Sequence, residues 1–229
     1  MALDRETVVR TALRLIDENG LEALTLRKLA ADLGVQAPAL YWHFRNKQEL
    51  LDAVADRLGA EQRGLTGTMP KDGEPWWEWL GKTLLDARDG LLGHRDSALI
   101  VAGNRPTPDA LPGVEAELST LRSVGLPPED ALMFTLATGY FLIGGVLEQQ
   151  LTASREGSDV DDEAFRQMQD AELYPTLAAA VAGIASEAAT GGEDAAVAGL
   201  DDAVFRFGLE LMIDGLRARL ARIEEEPEA

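Results

Sequence analysis

Four consecutive rings, Tyr41-Trp42-His43-Phe44, stand in the stretch LGVQAPALYWHFRNKQELL, with Pro38 ahead of them and Arg45 and Lys47 behind. Rings beside cations offer apolar faces to bases and sugars and positive charge to phosphates, which are the two halves of nucleic-acid recognition. Covalent and metal chemistry has far less to work with. The chain has no cysteine, so disulfides, thiolate metal sites and cysteine nucleophiles are all excluded. Its two histidines are His43, inside the ring cluster, and His94, in the turn GHRD. His94 reads as a hydrogen-bonding group at a helix start, because no second histidine lies near it to complete a nucleophile–base pair. No catalytic residue, metal or cofactor is expected.

Net charge is −19 over 229 residues, which taken alone argues against DNA. The distribution reverses that conclusion. Residues 1–58 carry eight Lys or Arg against nine Asp or Glu, so the other 171 residues hold −18 of the total. Between residues 25 and 47, Arg27, Lys28, Arg45 and Lys47 face only Asp32. A locally basic head on an acidic body attracts DNA at one place and repels it elsewhere, which keeps non-specific binding low.

These side chains need elements to position them. Val8, Val9, Ala12, Leu13 and Ile16 make one face of a helix from about Arg5, and Gly20 sits where a left-handed cap belongs. Thr25 then caps a short helix, LRKLAADL, which Gly34 ends. Pro38 suits the first position of a third helix and pushes Ala37 out of helical geometry, so Ala37 is the expected cap. Asn46 with Glu49 three residues on is a capping box for a fourth helix that turns Leu50, Leu51, Val54, Ala55 and Leu58 inward. Short helix, glycine turn, short helix is the helix-turn-helix pattern.

The turn-rich stretch GLTGTMPKDG, Gly64 to Gly73, marks a boundary between a DNA-binding domain over 1–63 and a second helical domain over 74–226. The apolar run Ala131 to Leu147 is at the short limit for a membrane span, and acidic rather than basic residues flank it. A core helix buried on all sides is expected there, with no membrane partner. Thr152 to Glu163 reads as a mobile acidic loop and SEAATGGEDAAVAG as a loose segment. A last helix from Asp202 to about Ile223 aligns Phe205, Leu209, Met212, Leu216 and Leu220. No segment carries a useful strand period, so the fold class is all-α. The N-terminus lacks the apolar core and cleavage site of a secretory signal, and a cytoplasmic location is expected.

Stepping PALYWHF by 100° per residue puts Leu40 and Phe44 together toward the core and leaves Trp42 and Pro38 pointing away from it. An exposed tryptophan at the tip of a small domain needs a partner. In a major groove, Ala37, Ala39 and the Trp42 ring would meet thymine methyls or sugar carbons, while Gln36 and Arg27 reach base edges. Tyr41, His43, Lys47 and helix N-terminal amides would hold phosphates, with Thr25 and Lys28 completing the candidate contact set.

The string LTLRKLAADLGVQAPALYWHFRNKQELLDAV resembles the DNA-binding domain of the tetracycline-repressor family, with the helix-turn-helix over about 25–44. GEPWWEWL, LLGHRD, GNRPT, GYFLIGGVLEQQ and FRFGLELMIDGLRARL extend the resemblance, in the same order, through the second domain. It implies an all-helical homodimer that represses from a palindromic operator and is released by a small-molecule effector. The long apolar helix and the last helix of each subunit would form a four-helix bundle. It also implies a switch at the turn Asn104, Arg105, Pro106 and Thr107, with Glu148 near the ligand unless it merely ends its helix. Arg63, Thr83, Val101, Glu117, Tyr140 and Phe141 match pocket positions, and Trp79 is added as a pocket wall because Trp76, Trp77 and Trp79 cannot share one helix face. Tetracycline-binding members place a magnesium-ligating histidine where this chain has Val101, and another pocket histidine where it has Arg63. Since an aliphatic side chain cannot coordinate a metal, a metal-free planar or amphipathic effector is expected. The rival readings are an enzyme or a ligand-sequestering protein with a non-DNA N-terminal module.

Overall fold

The computed structural model describes residues 3–66, 69–155, 167–188 and 193–225. Among them the chain forms helices and no strand: α1 (Arg5–Asn19), α2 (Leu26–Asp32), α3 (Ala37–Leu40), α4 (Lys47–Thr66), α5 (Trp76–Leu92), α6 (Ser97–Val101), α7 (Leu111–Ser123), α8 (Pro128–Arg155), α9 (Pro175–Ala188) and α10 (Glu193–Glu225).

The first three starts are chemically explicit. Asp4 caps α1 by accepting from the Thr7 N–H at 2.7 Å, and that bond holds the Asp4 carboxyl below its ordinary pKa. Thr25 caps α2 through the Lys28 N–H. Gly34, at φ 67, makes the left-handed turn into α3. The cap of α3 is Gln36, one residue before the expected Ala37, and Pro38 falls at the second helical position. Regular helix also ends sooner than the ring spacing suggests, at Leu40. One more turn follows in which the His43 and Phe44 N–H groups both donate to the Leu40 carbonyl. The Asn46 side chain accepts from Glu49 N–H while Glu49 accepts from Arg45 N–H, so the expected capping box opens α4, its return bond landing one residue earlier.

Packing divides the chain into two units, Met1–Gln150 with Met212–Ala229, and Leu151–Leu211. In the first unit one apolar core runs from Val8, Ile16, Leu29, Leu40, Phe44, Leu50 and Leu58 onward to Leu91, Ile100 and Val146. Packing is therefore continuous across residue 63, because α4 lies along α5 and also touches α1 and α6. A second cluster gathers Trp79, Leu80, Leu121, Leu126, Leu216 and Leu220. Arg219 forks onto Asp130 at 2.6 and 2.7 Å, fixing the start of α8 against the last turns of α10.

In the second unit Asp170 accepts from the Glu172 and Leu173 N–H groups just ahead of α9. Helix α10 begins at Glu193, earlier than the expected Asp202, so the described part of the segment read as loose is helical. Residues 152–155 extend α8, and the rest of the expected acidic loop, with residues 189–192, lies outside the described residues.

Helix α8 corrects one expectation. It is long and apolar enough to cross a membrane, yet it is not buried on all sides: Leu132, Met133, Leu136 and Tyr140 are exposed. Its other face, Thr138, Leu142 and Val146, turns inward. The sequence run hides this because both faces are apolar.

Candidate functional site

The ring cluster splits as its helical stepping predicts. Phe44 is 1% exposed and Leu40 fully buried, whereas Trp42 is 89% exposed and Tyr41 also stands in solvent. Thr25, Arg27, Lys28, Gln36 and Pro38 are exposed around them, and Ala37, Ala39, His43 and Lys47 are half-buried. Two side chains, Arg5 and Lys47, hold this edge in place. Arg5 donates to the His43 carbonyl at 3.0 Å while lying 4.4 Å over the Phe44 ring, and it pairs with Glu49. Lys47 donates to the Leu21 and Leu24 carbonyls at 3.0 and 2.8 Å, which spends two of its three N–H donors on the α1–α2 turn. Lys47 thus holds the head together first and keeps one donor for other use. The positioning role of Arg5 has no sequence signal, since an arginine in the first turn of an amphipathic helix reads as a solvated charge.

Charge pairing sharpens the contrast between the inside and the edge of this head. Arg14 bonds Asp32 and Glu18, and Arg57 bonds Glu6 and Glu61. Among the described residues, Arg27, Lys28 and Arg45 have no ion pair, so their charge is available to a polyanion.

A cavity of about 280 Å³ opens between α4, α5, α6, α7 and α8. Its lining includes Leu58, Thr83, Leu84, Val101, Glu117, Thr138, Gly139 and Leu142, and it adjoins a small chamber of about 30 Å³ walled by Trp79, Phe134 and Thr135. Of the predicted pocket residues, the walls bring together Trp79, Thr83, Val101 and Glu117. Tyr140 is 73% exposed and Glu148 also faces solvent, and neither they nor half-buried Phe141 lines the cavity. The reason is geometric: Gly139 and Leu142 face inward, so Tyr140, two steps or about 200° from Leu142, is turned away from the cavity. Asn104, Arg105 and Pro106 lie beyond the cavity in the turn after α6, and the Arg63 side chain lies outside the described residues. Thr135 and Thr138 escape sequence reasoning, because threonines inside an apolar run read as core filler. Their i, i+3 spacing ahead of Gly139 is the available signal.

The turn over residues 104–107, expected to be the switch, is tied to α4 directly, since the Thr107 N–H donates to Asp56 at 3.1 Å. A second tie runs through His94. Its Nδ1 lies 3.0 Å from Asp17 of α1, the Arg95 N–H donates to the same carboxylate, and Gln150 of α8 donates to the His94 carbonyl. Asp96, the one non-glycine described residue at positive φ, accepts from the Leu21 N–H at 2.8 Å. A more open hollow of about 370 Å³ lies between α1, α4 and residues 107–110, but Arg5 and Arg57 in its walls are already paired with carboxylates. The apolar cavity better fits a small molecule.

A basic helix-turn-helix head coupled through α4 to an internal apolar cavity defines a ligand-responsive DNA-binding regulator. Comparison with known proteins agrees. "Bacterial regulatory proteins, tetR family" matches residues 8–54 and "Tetracyclin repressor-like, C-terminal domain" matches residues 69–220. The tetracycline repressor protein class A from transposon 1721 of Escherichia coli is 39% identical over 217 residues, 95% of this chain and 92% of that protein. The Streptomyces coelicolor TetR family protein ActR, solved in complex with (S)-DNPA, superposes with a TM-score of 0.71 at 31% identity, covering 95% of this chain and 99% of that one. A class A TetR in complex with 5a,6-anhydrotetracycline and magnesium gives 0.65 at 32% identity, with 94% and 99% covered. The chain belongs to the tetracycline-repressor family. It is a ligand-responsive, homodimeric transcriptional repressor and not an enzyme.

Proposed function

We propose that the dimer binds a palindromic operator through residues 1–63 and is released when a metal-free planar or amphipathic effector enters the cavity that the effector domain, residues 74–226, closes against α4. The observation that carries this reading is the cavity's position: its walls include α4, the last helix of the DNA-binding head, together with Val101 at the end of α6. A ligand there pushes on both. Motion of the Asn104-Arg105-Pro106-Thr107 turn reaches α4 through the Asp56 bond and changes the spacing of the two heads. By linkage, operator DNA weakens effector binding by the same factor. On the DNA side, Gln36 and Arg27 reach base edges, Trp42, Ala37 and Ala39 supply apolar contact, and Tyr41, His43, Lys28 and the remaining Lys47 donor hold phosphates. The regulator works in the cytoplasm, where its operator is, and not at a membrane.

A magnesium chelate does not fit the walls. Among the described lining residues Glu117 is the one carboxylate, Val101 offers no donor, and there is no histidine. Among the described residues no cluster of three or more His, Cys, Asp or Glu could hold a metal. The test is a thermal-shift titration with tetracycline, with and without magnesium, on the wild type and on Val101→His. Wild type should gain no magnesium-dependent stabilisation; a full magnesium-dependent shift in the wild type would refute the metal-free assignment.

A further inference from the structure

We propose that the inner end of the cavity is an acceptor-oxygen subsite, where the Trp79 indole N–H and the Thr135 hydroxyl together receive a carbonyl or quinone oxygen on the leading edge of a planar polycyclic ligand. The inference rests on the cavity being the effector site, and it names the chemistry that site selects.

Trp79 is 5% exposed and its Nε1 is buried with no hydrogen-bond partner. An indole N–H is a donor only, and a buried one normally finds an acceptor. Thr135 Oγ1 is likewise buried and unpartnered. Its neighbours differ: Thr83 spends its hydroxyl on the Trp79 carbonyl at 2.8 Å, and Thr138 spends its own on the Phe134 carbonyl at 2.9 Å. Both residues belong to the walls of one chamber of about 30 Å³, which is the size of a single oxygen substituent or one water.

The adjoining chamber of about 280 Å³ supplies the rest of the selection. Leu84, Ala87, Leu142 and Ile143 make it apolar, and a side chain on Gly139 would meet nothing within 4 Å, so that flank is open to a ring system. A neutral hydrocarbon would fill the space but leave two buried groups dry. A ring system ending in an oxygen satisfies both at once.

The test uses the full-length protein with anthraquinone and anthracene, which share a ring frame and differ in the carbonyl oxygens. Affinities are measured by tryptophan fluorescence quenching, and the indole N–H resonance of Trp79 is followed in ¹⁵N-labelled protein after assignment with Trp79→Phe. Anthraquinone should bind more tightly than anthracene and move the Trp79 resonance downfield. Trp79→Phe and the near-isosteric Thr135→Val should each weaken anthraquinone about tenfold and leave anthracene unchanged. Gly139→Leu, which fills the outer chamber, should abolish both. Equal loss of the two compounds in the variants, or a Trp79 resonance indifferent to anthraquinone, overturns the subsite while leaving the cavity intact. Binding that survives Gly139→Leu, or no binding of either compound, overturns the cavity reading as well.

Discussion

Trp42 and Phe44 are two residues apart and do opposite work. Phe44 is buried under Arg5 and beside Leu40, so Phe44→Ala should destabilise the fold by about 3–5 kcal/mol, read by chemical denaturation. Trp42 projects into solvent, and Trp42→Ala should leave stability within about 0.5 kcal/mol. The same variant should weaken binding to the chain's own upstream DNA at least about tenfold, the scale of a single well-placed interaction with a base. If both variants lost stability alike, Trp42 would be core and not a reading residue. The division is legible in the sequence because two steps of 100° put Trp42 and Phe44 on nearly opposite faces. The role of Lys47 is not: a cation beside rings predicts a phosphate contact, and only the folded α1–α2 turn presents the two carbonyls it binds.

The helix starts at Thr25 and Asn46 and the turn at Gly34 are legible, because Thr25, Gly34 and the Asn46–Glu49 pair act within four residues of themselves, whereas the start of α10 at Glu193 carries no such local signal. The end of α3 and the orientation of α8 depend on distant partners and cannot be read locally. Thr135 and Thr138 illustrate the limit: spacing fixes that they share a face, but tertiary packing decides that the face borders a cavity. Between elements, the fork from Arg219 holds the Asp130 carboxyl below its ordinary pKa. A depressed carboxylate stabilises the fold above its unfolded pKa and loses that contribution as pH falls through the lower folded value. Wild-type stability should therefore drop below about pH 4 more steeply than that of Asp130→Asn, with the two converging in acid and the wild type the more stable at pH 7. Parallel pH profiles from thermal melts would show that the fork contributes nothing.

The single protomer leaves large apolar side chains uncovered on two helices: Met133, Leu136 and Tyr140 on α8, and Leu200, Val204, Phe207 and Leu211 on α10. A homodimer accounts for them, and the four-helix bundle of α8 and α10 from each subunit is the arrangement proposed for it. The doubly substituted Leu136→Glu, Tyr140→Glu should be monomeric by light scattering while remaining helical, and its DNA affinity should collapse because a palindrome is read by two heads; a dimer that persisted would move the interface elsewhere. Family membership extends over both domains, whereas the effector residues carried by resemblance divide, with Thr83, Val101 and Glu117 at the cavity and Tyr140 and Glu148 away from it. The central claim, a selective DNA reader on an acidic body, is tested most directly by fluorescence anisotropy of duplexes from the chain's own upstream region, compared with scrambled duplexes between about 50 and 200 mM salt. Binding should be confined to a palindromic duplex and fall about 10³-fold or more across that range, as neutralising several phosphates requires. No binding at the low-salt end, or equal binding to the scrambled duplex, would contradict it.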